Sequence, residues 1–554
     1  MRASASPITW NGGSGTSANW TDGNNWVGGN PPQPGDSLTF DGTTQTTNTD
    51  DFAAGTNFAG ITIASTAGAF TLGGANSINL SGDIVMNRSS STVSTISIPL
   101  ALQTNINVNT SVANANIVIS GGISGSGFSV SKIGAGIATL STAASTYTGG
   151  TGISGGTLRL NIAGNTNTTM GTGAITLSNA ATLDLRSTAA TTVNNDLSLG
   201  TGGGNIAVRT NDTFSPASIS GSGALGFSGE SAGLVMTPTD FKNWNGQINI
   251  TNGGQTSFGL RLASAFVAGS LINAGVDIGA NTFISKQNGS TGTTVIDIGK
   301  LSGASSGSLG ASAAGSGMFL YSIGALNQDS TFAGTVVDGS TKTGIRKVGN
   351  GSLILSGTGS SFTGASSVNA GLLRVDGTLT GAALALTVNT GGTLGGTGSI
   401  AGTVSSVGGT IAPGDSPGTL TVANAVSIDS ASTLAYELNG GNTTVGGGIN
   451  DLLAGVTNLT LDGTLNVTET VANSFASATV GSTWRLINYT GTLTDNTLSV
   501  GTTPTLPAGD SLVVDTSVAG QVNLKLTSAT TPEPASLSLL ALAGVVGMRR
   551  RRIG

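Results

Sequence analysis

From about Asp41 to Thr527 the chain is built of short runs in which apolar and polar residues alternate: Ile78-Asn79-Leu80, Ile175-Thr176-Leu177, Leu183-Asp184-Leu185, Leu459-Thr460-Leu461, Leu465-Asn466-Val467 and Val522-Asn523-Leu524-Lys525-Leu526. A period of two places the aliphatic side chains on one face of an extended strand and the polar ones on the other. Gly, Asn, Ser and Asp separate the runs, as turns require. No stretch of this region keeps a 3.6-residue apolar period, so the pattern predicts an all-β body.

Two all-β architectures fit alternating runs. Sandwiches use longer strands and bury aromatic residues at the centre of each core. A β-solenoid uses very short strands, glycine corners and stacked small aliphatics, because each coil is covered only by its neighbours. With 89 Gly in 554 residues and 4% aromatics, the composition favours a parallel β-helix with roughly 20–25 residues per coil. The expected fold class is therefore all-β: an elongated, single-stranded parallel β-helix over 45–527.

The first segment, 6–44, breaks the pattern by its aromatic density. Trp10, Trp20 and Trp26, three of the five tryptophans, fall inside it, and it closes on Leu38-Thr39-Phe40. Such a cluster can stack on sugars or close the open end of an elongated core; the second reading, an aromatic N-terminal cap, follows from the need of solenoid ends for a cover.

Composition then removes most chemistry. The absence of His excludes imidazole bases, Ser-His-Asp triads and histidine metal sites, and the absence of Cys excludes disulfides and thiolate chemistry. Carboxylates remain, but Glu occurs only at 230, 437, 469 and 533. Setting aside Arg2 and the residues from Pro532 onward, 25 acidic residues face 15 basic ones, a body charge of −10 that makes nucleic acid a poor partner. The adjacent Asp50-Asp51 reads as a solvated turn pair. Asp184 and Arg186 share a strand face and suit a surface ion pair. The loop Gly446-Gly447-Gly448-Ile449-Asn450-Asp451 has some likeness to a calcium-binding glycine loop, but it occurs once whereas calcium solenoids repeat theirs. No residue is assigned a catalytic, cofactor-binding or metal-binding role, and no cofactor is expected. A groove gathering three or more Asp, Lys or Arg side chains on one face would point instead to a β-helix that binds or cleaves polysaccharide.

One internal repeat stands out. Lys132-Ile133-Gly134-Ala135-Gly136 leads to Leu140-Ser141, Tyr147-Thr148-Gly149 and Gly156-Thr157-Leu158-Arg159. Lys347-Val348-Gly349-Asn350-Gly351 leads to Leu355-Ser356, Phe362-Thr363-Gly364 and Gly371-Leu372-Leu373-Arg374, without a gap, at a constant offset of 215 residues. Because Lys132 and Lys347 are equivalent, a structural role suits both. The repeats 132–159 and 347–374 resemble the autotransporter-associated β-strand repeat of bacterial passenger-type β-helices, a likeness shared by Ala412-Pro413-Gly414-Asp415-Ser416-Pro417-Gly418. That resemblance implies a right-handed parallel β-helix and a cell-surface or extracellular, adhesin-like role.

The two ends carry transport-like features. Ala3 and Ala5 before Ser6-Pro7 look like a small-residue cleavage site, which would make 1–5 the remnant of a secretory signal begun upstream. At the other end Pro532-Glu533-Pro534 precedes a charge-free apolar stretch over 535–548 and then Arg549, Arg550, Arg551 and Arg552. As a helix, the stretch would span about 21 Å, short of the roughly 30 Å hydrocarbon core, so a permanent anchor is marginal. The tail, 528–554, resembles the PEP-CTERM sorting signal of Gram-negative bacteria. The resemblance implies a precursor held in the inner membrane by a transmembrane helix over 535–548, with the Arg run as its cytoplasmic basic anchor. It further implies recognition by an exosortase-type membrane protease, cleavage near Pro532-Glu533-Pro534, and release or attachment of the body outside the cell, where exopolysaccharide is a candidate partner.

Overall fold

The computed structural model describes residues 7–528 except 142–143, 163–169, 188–191, 210–212, 230–233, 237–240, 242–243, 255–256, 263–268, 287–290 and 311–314. Helix is confined, among the described residues, to the 3-10 turns Gly23–Asn25 and Phe475–Ser477, and no helix is long and apolar enough to cross a membrane. The fold is an all-β parallel solenoid, as the alternation predicts. The apolar stretch 535–548, read from the sequence as a helix, lies outside the described residues.

The strands fall into two compact units, one comprising 1–394 and 398–405 and the other 395–397 and 406–554. At the start of the first unit each coil contributes three short strands, as in Ser37–Phe40, Thr47–Thr49 and Thr56–Phe58, followed by Gly60–Ile63, Thr71–Gly73 and Ile78–Leu80. Each strand pairs in parallel with its counterpart one coil on, so that Leu38 lies beside Ile61, Asn48 beside Leu72 and Phe58 beside Leu80. The inward rows are aliphatic: Ile61, Ile63, Leu72, Ile78, Leu80, Ile84 and Met86 are completely buried. An inward side chain therefore meets a similar side chain above and below, which is why strands of three or four residues suffice.

The Trp-rich segment enters this ladder with its first strand, Pro7–Trp10, which pairs in parallel with Ser37–Phe40. Trp10, Trp20 and Trp26 are buried around Phe40. Trp26 stands edge-on to Trp10 with ring centres 5.2 Å apart and to Trp20 at 6.4 Å. Two of the polar edges turn to the chain itself: Trp20 Nε1 donates to Asn48 Oδ1 and Trp26 Nε1 to the Trp20 carbonyl, both at 2.8 Å.

In the second unit, Thr433–Leu438 pairs in parallel with Thr464–Glu469, and Thr419–Val422 with Leu452–Val456. Parallel pairing continues to Ser499–Val500, but Thr483–Tyr489, parallel to Leu452–Val456 on one side, pairs antiparallel on the other with Gln521–Ser528, as does Asp510–Asp515, rather than the coils continuing to 527. Trp484 lies buried here against Phe475, ring centres 4.8 Å apart, and Tyr436 donates its hydroxyl to the Leu486 carbonyl.

Trp26 is buried and joins Trp10 and Trp20 through edge-to-face contacts. Truncating it, Trp26→Ala, is expected to cost about 3–5 kcal/mol, the range for a buried aromatic replaced by Ala. Guanidinium unfolding followed by near-ultraviolet circular dichroism would show the first transition moved to lower denaturant; an unmoved transition would contradict the packing described.

Candidate functional site

The repeated lysines are inward-facing residues in an otherwise aliphatic ladder. Lys132 lies between Val108 and Ile153, and Lys347 between Ile323 and Val368. Both are buried. An ammonium has three donors and no acceptor, and each of these finds three backbone carbonyls. Lys132 Nζ donates to Ile133 (3.0 Å), Gly134 (2.8 Å) and Gly155 (2.8 Å). Lys347 Nζ donates to Val348 (2.8 Å), Gly349 (2.7 Å) and Ala370 (3.1 Å). The acceptors are equivalent in the two copies, two from the lysine's own turn and one from the turn of the next coil.

The repeat's glycines make that approach possible. Gly134 and Gly349 hold φ of +78° and +70°, and a Cβ on either would come within 2.4 or 2.0 Å of a carbonyl oxygen of the preceding coil. The aromatic-Thr-Gly element forms no strand but closes the same coil: Tyr147 and Phe362 are buried, and Tyr147 shares a hydrogen bond with Thr151 Oγ1 at 2.8 Å. Lys132 and Lys347 thus clamp consecutive turns.

Three charged side chains converge on the outward face beside the first repeat. Register sets Arg159 against Asp184, Asp184 against Ala207, and Ala207 against Ser228. Arg159 Nε donates to Asp184 Oδ2 at 2.9 Å and Arg186 Nε donates to the same oxygen at 2.7 Å. The Asp184 side chain is 8% exposed, against 25% and 21% for the arginines. The small residues of the next coils leave a cleft of about 150 Å³ beside this triad. The surface ion pair Asp184–Arg186 read from the sequence is thus part of a half-buried cluster. Its third member, Arg159, sits 25 residues before Asp184, one coil away at the same outward position, a spacing that the varying coil length hides in the sequence.

The remaining acidic candidates support the backbone. Asp451 is buried and accepts from the Gly418 amide (2.8 Å) and the Glu437 amide (2.6 Å), joining the Pro413–Gly418 turn to the strand Thr433–Leu438. Burial pushes its pKa up to about 7, against the pull of those two donors. Asn450 beside it donates to the Asn442 and Thr444 carbonyls and accepts from the Asn439 amide. The side chains of the glycine loop are thus directed at backbone groups. Asp50 is a correction: the expected solvated turn residue is 2% exposed, and burial raises its pKa to about 6. Its neighbour Asp51 does face outward, where it accepts from the Thr21 amide and hydroxyl. Among the described residues no three Asp or Glu side chains gather as metal ligands. The transport-related candidates, namely Ala3, Ala5, Pro532, Glu533, Pro534 and Arg549 to Arg552, lie outside the described residues.

The all-β parallel solenoid matches the passenger-type β-helix. The family model described as the passenger-associated-transport-repeat (PATR) matches residues 130–160 and 345–375, the two segments that carry the buried lysines. Over 117 residues the chain is 45% identical to the "Adhesin BmaC autotransporter" of Brucella suis biovar 1 (strain 1330), a stretch covering 21% of this chain and 3% of that protein. The repeats and this relative support a passenger-type β-helix.

Replacing Lys132 by Met keeps much of the aliphatic volume but leaves three carbonyls without their donor. Relief of the buried charge opposes this loss, yet unsatisfied buried acceptors cost about 1–3 kcal/mol each, so Lys132→Met should be destabilising by at least that amount. Native-state hydrogen exchange over 130–160 would read it as faster exchange; unchanged protection would remove the clamp from the account.

The same lysines set a pH dependence. Burial lowers both pKa values from 10.5 to about 8. Between those values the unfolded chain binds more protons than the folded one, so their contribution to stability rises as pH increases from about 8. The buried Tyr147, Tyr321 and Tyr436, whose pKa values are raised by burial, act in the opposite sense only above their ordinary value of 10.0. Lys286, whose pKa burial also lowers, adds in the same sense, so urea unfolding should show stability increasing from about pH 8 to about pH 9.5, with a shallower slope in Lys347→Met; a flat profile would contradict the assignment.

Proposed function

We propose that this chain is an exported, non-enzymatic surface or matrix protein of a Gram-negative bacterium, with an adhesin-like solenoid body sorted through its C-terminal tail. The observation that carries the reading is the pair of passenger-associated repeats, each built around the same buried lysine clamp within a parallel solenoid. The adhesin autotransporter likeness supports a surface role. The absence of His and Cys from the sequence, and the direction of Asp451, Lys132 and Lys347 toward backbone groups, favour structure over catalysis. The acidic body disfavours nucleic acid as a partner.

In the sorting step, the Arg run 549–552 holds an apolar helix over 535–548 in the inner membrane, its charges at the cytoplasmic face. Pro532-Glu533-Pro534 stays extended because proline restricts both itself and the residue before it, which suits an exosortase-type protease. Cleavage there leaves the body outside the cell, with exopolysaccharide as its surrounding partner, and a secretory signal ending near Ala3 and Ala5 would start the export.

Mass spectrometry of surface-exposed protein tests the reading. The expected mature form lacks Arg549 to Gly554, and replacing Pro532, Glu533 and Pro534 by Ala should leave the precursor in the membrane fraction. A surface form that retains the Arg run would show a permanent anchor instead.

A further inference from the structure

The Arg159–Asp184–Arg186 cluster is not required by the repeat that contains its first member. Lys132 and Lys347 make the same bonds in both copies, but the equivalent arginines differ. Arg374 of the second copy turns along its own strand to Asp376, 2.7 Å away, whereas Arg159 reaches across to the next coil. The inward clamp is therefore common to the repeats, and the outward cluster belongs to the first alone.

Its composition points to a ligand. The described residues lining the cleft carry two guanidinium groups and one carboxylate in a body that is otherwise acidic. Asp184 takes the Nε of each arginine on a single oxygen, which anchors both guanidinium groups beside the cleft. Among the described residues the terminal nitrogens of Arg159 have no protein partner within hydrogen-bond distance. A guanidinium oriented in this way presents a planar fork suited to a carboxylate or sulfate. Thr157, Thr182 and Ser228 line the same cleft and add hydroxyl groups, while none of its described lining residues is aromatic. Hydroxyl groups beside a cationic fork, without a stacking surface, suit a polyhydroxylated anion better than a neutral sugar.

We infer that the cleft formed by Arg159, Asp184, Arg186, Thr157, Thr182 and Ser228 binds the acidic group of a sugar, a uronate carboxylate or a sugar sulfate. At about 150 Å³ the cleft lies below the roughly 300–1,000 Å³ of pockets that enclose a drug-sized ligand. It therefore takes one acidic residue of a longer polysaccharide, and affinity for a long chain comes from several molecules of this protein binding along it. The net negative charge of the body does not decide the outcome, because at physiological ionic strength its field is screened beyond about 8 Å. The inference deepens the surface reading by naming a ligand class, and its test in purified protein does not depend on how the tail is processed.

Isothermal titration of the full chain with tetragalacturonate, its methyl ester and a sulfated tetrasaccharide provides the test. Binding is expected for at least one of the two acidic sugars and not for the ester, and it should weaken several-fold when ionic strength rises from about 0.05 M to about 0.5 M. Arg159→Gln should weaken binding at least about tenfold, while Arg159→Lys, which keeps the charge and loses the fork, should fall between the two. Arg374→Gln, at the equivalent position of the second repeat, should bind as the unaltered chain does. If Arg159→Gln fails to fold, the comparison of Arg159→Lys with Arg374→Gln decides. Binding of the ester equal to that of the acid, no binding of either acidic sugar, or equal affinity in the Arg159 and Arg374 variants would overturn the inference. A body that binds acidic sugars but retains its tail at the surface would refute the sorting proposal and leave this one standing.

Discussion

In-register stacking of parallel coils is the constraint from which the rest of this structure follows. A coil of three short strands encloses too little to have a core of its own, so each inward side chain must be covered by its counterpart above and below. The rows of Ile, Leu and Val do this by repetition, and the same arrangement brings turn carbonyls of successive coils within reach of one another. Aliphatic side chains cannot satisfy those carbonyls. The buried ammonium groups of Lys132 and Lys347 can, each joining its own turn to the next by three hydrogen bonds. A charge in an apolar ladder is costly, and the carbonyl oxygens around it are the compensation that makes it tolerable.

Stacking also separates structure from function by face. Inward positions are enclosed by the coils on either side, so they repeat; outward positions face solvent and ligands and pair across coils only where side chains happen to meet, so they vary. The two repeats demonstrate this within one chain. Their lysines and glycines keep the same partners, whereas Arg159 and Arg374, at equivalent outward positions, make different ion pairs. Chemistry is accordingly to be sought where the outward face departs from repetition, and the Arg159–Asp184–Arg186 cleft is such a departure.

Several of the largest side chains gather near the first strand and near the antiparallel pairing of the second unit. Trp10, Trp20 and Trp26 gather around Phe40 beside the first strand of the first unit, and Trp484 packs on Phe475 where the second unit turns to antiparallel pairing. Large rings fill space that identical neighbouring coils would otherwise fill. The indole nitrogens of Trp20, Trp26 and Trp484, like the Asn450 amide and the Asp451 carboxylate, bond to backbone or nearby side chains, because irregular segments leave polar groups that no ladder satisfies.

The amino-acid sequence by itself determined the all-β class, the parallel solenoid and the repeat, because period-two runs, glycine corners and a gapless 215-residue offset are properties of neighbours along the chain or of direct self-similarity. It also showed that Lys132 and Lys347 are equivalent. What the ammonium groups touch was decided by the tertiary structure, since one of the three acceptors in each case belongs to the next coil. The same holds for Asp50, which reads as a turn residue but is enclosed, and for Asp184, whose sequence neighbour Arg186 was visible while Arg159 was not. Ion pairing in a solenoid runs across coils, and the residue that will lie alongside depends on the number of residues in the intervening coil. That number varies: Lys132 pairs with Val108 on one side and with Ile153 on the other, 24 and 21 residues away. Local pattern specifies which way a side chain faces, but only the accumulated register of the coils decides what it meets.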